Sequence, residues 1–179
     1  PGSVAGFYHA LTKYGTLTWQ EIMEPSIKLA EEGFEIPHDL ANTLASKRYR
    51  ERLSSDPAAS KVFFKSDGSL YEAGEILIQT DLASTLKQIS KYGPDAFYRG
   101  NIAKLIVKEM ETNGGLITLE DLDNYNIVER QPLTGNYRDF KIISMPPSSS
   151  GGTHLVQMLN MLEEFPIKEM GFGLSLIHI

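Results

Sequence analysis

Apolar residues fall at helical spacing through most of the chain. Val4, Phe7, Tyr8 and Leu11 stand at i, i+3, i+4 and i+7, which marks one face of a helix, and Gly15 offers its stop. Thr18 opens a second helix, with Glu21 placed to complete a capping box in which hydroxyl and carboxylate each serve one orphan N–H. Trp19, Ile22, Met23, Ile27 and Ala30 give this helix its predicted buried stripe, and Gly33 ends it. Pro25 lies inside it and, lacking an N–H, predicts a kink or split. A third helix is predicted from Pro37-His38-Asp39 to about Leu53, carrying Leu40, Leu44 and the cations Lys47, Arg48, Arg50 and Arg52.

Ser54-Ser55-Asp56-Pro57 reads as loop, Val62-Phe63-Phe64 as a short strand and Ser66-Asp67-Gly68-Ser69 as a turn. Gly74 to Gln79 reads as extended. Asp81 to Tyr92 reads as helix through Leu82, Leu86 and Ile89, stopped by Gly93-Pro94, and Pro94-Asp95-Ala96-Phe97 starts another turn. Ile102, Leu105, Ile106 and Met110 mark a helix that ends at Asn113-Gly114-Gly115. Thr118 with Asp121 opens a short helix to Asn124.

The pattern then changes. Tyr125 to Val128, Leu133 to Arg138 and Phe140 to Met145 read as strands, with bends at Gly135-Asn136 and Arg138-Asp139. A loop, Pro146-Pro147-Ser148-Ser149-Ser150-Gly151-Gly152, leads to a last helix marked by Leu155, Met158, Leu159 and Leu162. The fold class is therefore a helix-rich α/β chain. It is helical over 1–124, with a strand group and helix over 125–173 and a doubtful tail at 174–179.

Composition narrows the function. The 179 residues carry 17 Lys+Arg against 23 Asp+Glu, a formal net charge of -6. An acidic chain is a poor partner for nucleic acid, whose phosphates call for a basic surface. No apolar run approaches the ~20 residues of a membrane helix. With no Cys there is no disulfide, thiolate nucleophile or Cys-ligated metal.

The Pro146 to Gly152 loop is the most distinctive candidate. Its prolines stiffen the approach, its serines can cap, and its glycines allow close backbone approach. It lacks the Gly-Lys-Ser/Thr of a phosphate loop and the Gly-x-Ser-x-Gly of a nucleophile elbow. His154 stands near enough in sequence for a Ser–His pair to be imagined, without an acidic orienter placed by local spacing. The reading is a strand-to-helix turn or a support for a site, with a serine nucleophile as the outsider. His9, His38, His154 and His178 form no metal-ligand spacing. Glu31-Glu32, Glu120-Asp121 and Glu163-Glu164 read as solvated faces, and the cations from Lys47 to Arg52 as a surface paired with nearby acids.

Six collinear stretches resemble γ-glutamyltransferase, the glutathione hydrolase family. They are Pro1-Gly2-Ser3-Val4-Ala5-Gly6-Phe7, Lys13-Tyr14-Gly15-Thr16-Leu17 and Glu24-Pro25-Ser26-Ile27-Lys28-Leu29-Ala30 with Gly33-Phe34. Gly93-Pro94-Asp95-Ala96-Phe97-Tyr98-Arg99-Gly100 and Asn113-Gly114-Gly115-Leu116-Ile117-Thr118 with Asp121-Leu122 and Tyr125 follow. Last comes Met145 to Gly152, where Ser148 replaces the family's usual third proline. The resemblance implies part of an N-terminal-nucleophile hydrolase αββα sandwich, incomplete in this chain. It implies a precursor that cuts itself into large and small subunits. The new N-terminal Thr attacks the γ-glutamyl amide of glutathione, and water or an amine accepts the acyl group, with no metal or organic cofactor.

The match is to an internal piece of the large subunit, so the partner is the small subunit of the same precursor. No residue here inherits a catalytic, cofactor-binding or metal-binding role, and the fragment alone is predicted inactive. Pro146 to Gly152 is carried over only as a family-signature loop. A bacterial parent implies a periplasmic or secreted enzyme. The chain opens at Pro1 without Met, and residues 174–179 depart from the family's Ala- and Glu-rich helix, which reads as truncation with a foreign tail. The alternatives are a cephalosporin or glutaryl acylase of the same superfamily and a non-enzymatic helical interaction module.

Overall fold

A computed structural model describes residues 2–171 and residue 173. The expectations for residues 174–179, His178 included, lie outside the described residues. The chain forms two compact units, Pro1–Ile127 and Val128–Ile179.

The first unit begins with α1 (Ser3–Tyr14) and α2 (Trp19–Glu32). The Thr18 hydroxyl accepts the Glu21 N–H at 3.3 Å, and the Glu21 carboxylate accepts the Thr18 N–H at 2.7 Å, so the expected capping box forms. Pro25 neither splits nor ends α2, which runs unbroken for 14 residues. The proline removes one helical donor to the Glu21 carbonyl, but both residues are exposed and water can serve that carbonyl. Ile22, placed in the buried stripe by its spacing, is 45% exposed, while Ala30 is buried.

β1 (Phe34–Glu35) and β2 (Ile76–Leu77) pair antiparallel, Phe34 opposite Leu77. Only β2 had a sequence signal; two residues after Gly33 are too few to show alternation. The helix predicted to Leu53 is divided into α3 (His38–Ala45) and α4 (Lys47–Ser55). Ser46 breaks it: its ψ of 140° is extended, and its hydroxyl donates to the Thr43 carbonyl at 2.8 Å. Val62 and Phe63 belong to α5 (Pro57–Phe63), not to a strand. Asp56 caps α5 by accepting the Ala59 N–H at 2.7 Å and Pro57 takes the first helical position, local signals that outweigh three apolar residues. Phe64 alone makes an extended bridge to Leu70 across the Asp67-Gly68 turn.

α6 (Thr80–Tyr92), α7 (Pro94–Tyr98), α8 (Asn101–Asn113) and α9 (Leu119–Asp123) complete this unit. Its core joins Ile89, Ala96 and Ile102 with Val4, Trp19, Met23, Phe97 and Ile106. Tyr98, Ala103 and Leu122 form a second cluster with Val107 and Ile117. Trp19 fixes α2 to α6 by donating its indole N–H to the Ile89 carbonyl at 3.0 Å. Tyr98 stacks on Tyr125 with centroids 5.6 Å apart, and its hydroxyl accepts the Ala5 N–H at 3.2 Å. Burial pushes the Tyr98 phenol up. Arg99 ties α7 to α9: its guanidinium donates to the Asp95 carboxylate at 2.7 Å and the Asp123 carboxylate at 2.5 Å.

In the second unit, β3 (Leu133–Tyr137) and β4 (Phe140–Ser144) form a hairpin in which Tyr137 faces Phe140 across Arg138-Asp139. Tyr125 to Val128 form no strand, and Gly135-Asn136 lie mid-strand rather than at a bend. α10 (Gly151–Glu163) packs on the hairpin, and α11 (Ile167–Met170) follows. Gly135 explains the fit, because a Cβ there would stand 2.7 Å from Val156 Cγ1. Arg138, with φ 51°, donates its backbone N–H to the Glu163 carboxylate at 2.5 Å, which holds the turn to the end of α10. Val156, Leu159 and Leu162 are half-buried, but Leu155, Met158 and Met161 remain exposed, so α10 has two apolar sides.

Candidate functional site

The signature segment joins β4 to α10. Its seven residues are not all loop, since Gly151 and Gly152 form the first turn of α10. The Ser149 N–H donates to the Pro146 carbonyl at 3.1 Å, closing a turn over Pro147 and Ser148. The Ser149 hydroxyl accepts the Gly151 N–H at 3.3 Å, and the Ser150 carbonyl accepts the His154 N–H at 3.0 Å. Ser150 is the N-cap residue but makes no side-chain cap bond.

Gly152 is the buried anchor of this segment. A Cβ there would lie 2.1 Å from the Met145 carbonyl oxygen and 3.1 Å from Ser144 Oγ. Only a residue without a side chain lets the helix start so close to the strand it leaves. Pro146 is half-buried, whereas Pro147, Ser148, Ser149, Ser150 and Gly151 are exposed. The arrangement presents three hydroxyls around a helix start.

It does not present a base. Among the described residues, no hydrogen bond joins the exposed His154 ring to Ser148, Ser149 or Ser150, and no carboxylate orients that ring. The Ser–His pair imagined from sequence proximity does not form; the Ser149 hydroxyl instead accepts the Gly151 N–H. His9 lies in α1, His38 begins α3 and His154 lies in α10. No group of His, Cys, Asp or Glu suited to a metal occurs among the described residues.

The acidic pairs have local tasks. Glu31 pairs with Lys87, and Glu32 with Lys28 at 3.9 Å. Asp121 accepts the Thr118 hydroxyl at 2.7 Å and its N–H at 2.8 Å, which holds its carboxyl below the usual range. The same bonds from Thr18 lower Glu21. The basic run of α4 is less paired than expected. Lys47 reaches Glu51 at 4.0 Å, while Arg48, Arg50 and Arg52 make no ion pair among the described residues. Gly135 is among the residues that sequence reading misplaced; the alternation Leu133, Gly135, Tyr137 was its signal. No helix among the described residues is long and apolar enough to cross a membrane.

The segment is a strand-to-helix turn pinned by a buried glycine, in a helix-rich α/β chain. Comparison with known proteins identifies the scaffold. The gamma-glutamyltranspeptidase family model matches residues 1–178, and the chain belongs to that family. It is 47% identical over 173 residues to the glutathione hydrolase proenzyme of Escherichia coli K12, covering 97% of this chain and 30% of that protein. It is 40% identical to the acylase ACY 1 proenzyme of Pseudomonas sp. strain SE83, again over 97% of this chain and 30% of that protein. The crystal structure of Helicobacter pylori gamma-glutamyltranspeptidase superposes with a TM-score of 0.93 at 47% identity, over 98% of this chain and 50% of that one. The chain thus spans about 30% of the length of these proenzymes, and the expected sandwich is present only in part.

Proposed function

We propose that the protein to which this chain belongs is a γ-glutamyl hydrolase and transpeptidase. The family match along residues 1–178 carries the reading. In the proposed reaction the N-terminal Thr of the small subunit, outside this chain, attacks the γ-glutamyl carbonyl of glutathione. Its own amine takes the hydroxyl proton. The amide C–N bond breaks, the departing amine leaves protonated, and a γ-glutamyl ester remains on the Thr. Water or an acceptor amine then attacks that ester and returns the hydroxyl to the Thr. No metal or organic cofactor enters this scheme.

In this reading the chain supplies large-subunit scaffold and no catalytic group. The segment from Pro146 to Gly152 acts as a rigid turn that supports the site. The hydroxyl bonding of Ser149 and the buried anchor at Gly152 support that role. The partner is the small subunit of the same self-cleaved precursor, and the location is periplasmic or secreted.

A second reading, a cephalosporin or glutaryl acylase, is favoured by the 40% identity to the Pseudomonas acylase. One experiment separates the two. The full-length protein is assayed on a γ-glutamyl anilide and a glutaryl anilide, with the 179-residue chain alone as control. Turnover of the γ-glutamyl substrate by the full-length protein only is the expected outcome. Preference for the glutaryl anilide selects the acylase, and turnover by the chain alone that Ser149→Ala abolishes overturns both in favour of a serine mechanism. A cooperative, monomeric melt of the chain, with no binding of dyes that report exposed apolar surface, favours the interaction module.

A further inference from the structure

Of the basic run of α4, Arg50 borders a cleft that the reaction proposed above does not use. Arg50 and Ser54 from α4, Ser60 and Lys61 from α5, and Lys65 and Ser66 beyond it line one cleft of about 1000 Å³. No carboxylate lines that cleft, although the chain carries a net charge of -6.

Most of the nearby acids are already engaged, and Glu72 lines an adjoining hollow that Arg50 also borders. Glu75 accepts from Lys65 Nζ at 2.9 and 3.1 Å. Asp56 is bound to the Ala59 N–H, and Asp67 accepts the Ser69 hydroxyl at 2.6 Å and the Ser69 N–H at 2.9 Å. Glu51 faces Lys47 at 4.0 Å. Arg50 and Lys61 make no ion pair among the described residues. A residue with a guanidinium fork, one with an ammonium point charge and several with hydroxyls therefore line one concavity from separate segments. Such a set matches a multivalent oxyanion: the fork takes two oxygens, and the ammonium and hydroxyls take those that point elsewhere.

We propose that this cleft binds a tetrahedral oxyanion of the phosphate or sulfate type, with Arg50 and Lys61 as its charged contacts. The proposal does not rest on the reaction proposed above. Its test is a titration of the isotope-labelled chain with inorganic phosphate at fixed ionic strength, followed by amide shifts. Saturable shifts confined to the cleft are expected. Arg50→Gln and Lys61→Gln should each weaken binding about tenfold, as loss of a charge-assisted contact does. Arg48→Gln, on the same helix but outside the cleft, should change it by less than about twofold. Sulfate should compete and succinate should not. Absence of saturable shifts, equal weakening by Arg48→Gln, or equally tight binding of succinate overturns the proposal. Calorimetric titration of the full-length protein supplies the same comparison if the chain self-associates.

Discussion

Replacing Gly152 with alanine tests the geometry of the strand-to-helix turn directly. The added methyl would stand 2.1 Å from the Met145 carbonyl oxygen, whereas real Cβ contacts essentially never fall below 3.0 Å. The contact must open by close to an ångström. The obstructing atom is backbone in the strand exit, so it cannot swing aside as a side-chain tip would. Overpacking of this kind costs about 1–3 kcal/mol, and a rigid neighbour puts Gly152→Ala at the upper end. Alanine regains up to about 1 kcal/mol of helix propensity over glycine. The net expectation is a loss of about 2 kcal/mol, roughly a thirtyfold drop in the folding constant.

Gly151→Ala is the internal control. Its Cβ would meet only Ser149 Oγ, at 3.4 Å, an ordinary contact. That variant should be neutral or more stable by up to about 1 kcal/mol. Urea unfolding followed by circular dichroism measures both, provided the slopes agree. The reasoning fails if Gly152→Ala melts with the parent chain, or if both substitutions destabilise alike.

Two further outcomes follow from the same contacts and from the caps. Gly135→Ala should destabilise the hairpin unit by about 1–3 kcal/mol, and adding Val156→Ala should recover part of the loss, because the clash is with a side chain; an additive double-mutant cycle refutes this. Hydrogen bonds from Thr18 and Thr118 hold the Glu21 and Asp121 carboxyls below their ordinary 4.5 and 3.8, so their stabilisation is present above those values and fades as pH falls through the lowered folded ones. A Thr18→Ala chain should accordingly melt below the parent at neutral pH, with the deficit shrinking in acid; a deficit unchanged at low pH would count against the cap.

Long, periodic helices with strong ends were legible in the sequence. Thr18 with Glu21, Gly93-Pro94, and Thr118 with Asp121 each act within one turn, so neighbours in sequence suffice to read them. Where the reading failed, a short-range competitor or a distant partner decided. Ser46 broke a helix through its own hydroxyl, and Asp56 with Pro57 drew Val62 and Phe63 into α5. Gly135 looked like a bend because its reason is a valine 21 residues away on α10. β1 could not be read at all, since its partner lies beyond three intervening helices. The signature segment was visible as a motif, but its chemistry was not. Composition gave the serines and the histidine, and only the fold shows that the Ser149 hydroxyl is engaged by Gly151.

The two-sided character of α10 bears on hydrogen exchange. Its inward residues are only half-buried, while Leu155, Met158 and Met161 keep much of their area in water. Less burial therefore opposes its lifting from the hairpin than opposes opening of the helical core, and its amides should exchange through local opening. Amides around the wholly buried Ala103 of α8 should exchange only when the whole unit unfolds. One polypeptide thus carries two clocks, a fast one set at the hairpin and a slow one set in the helical core.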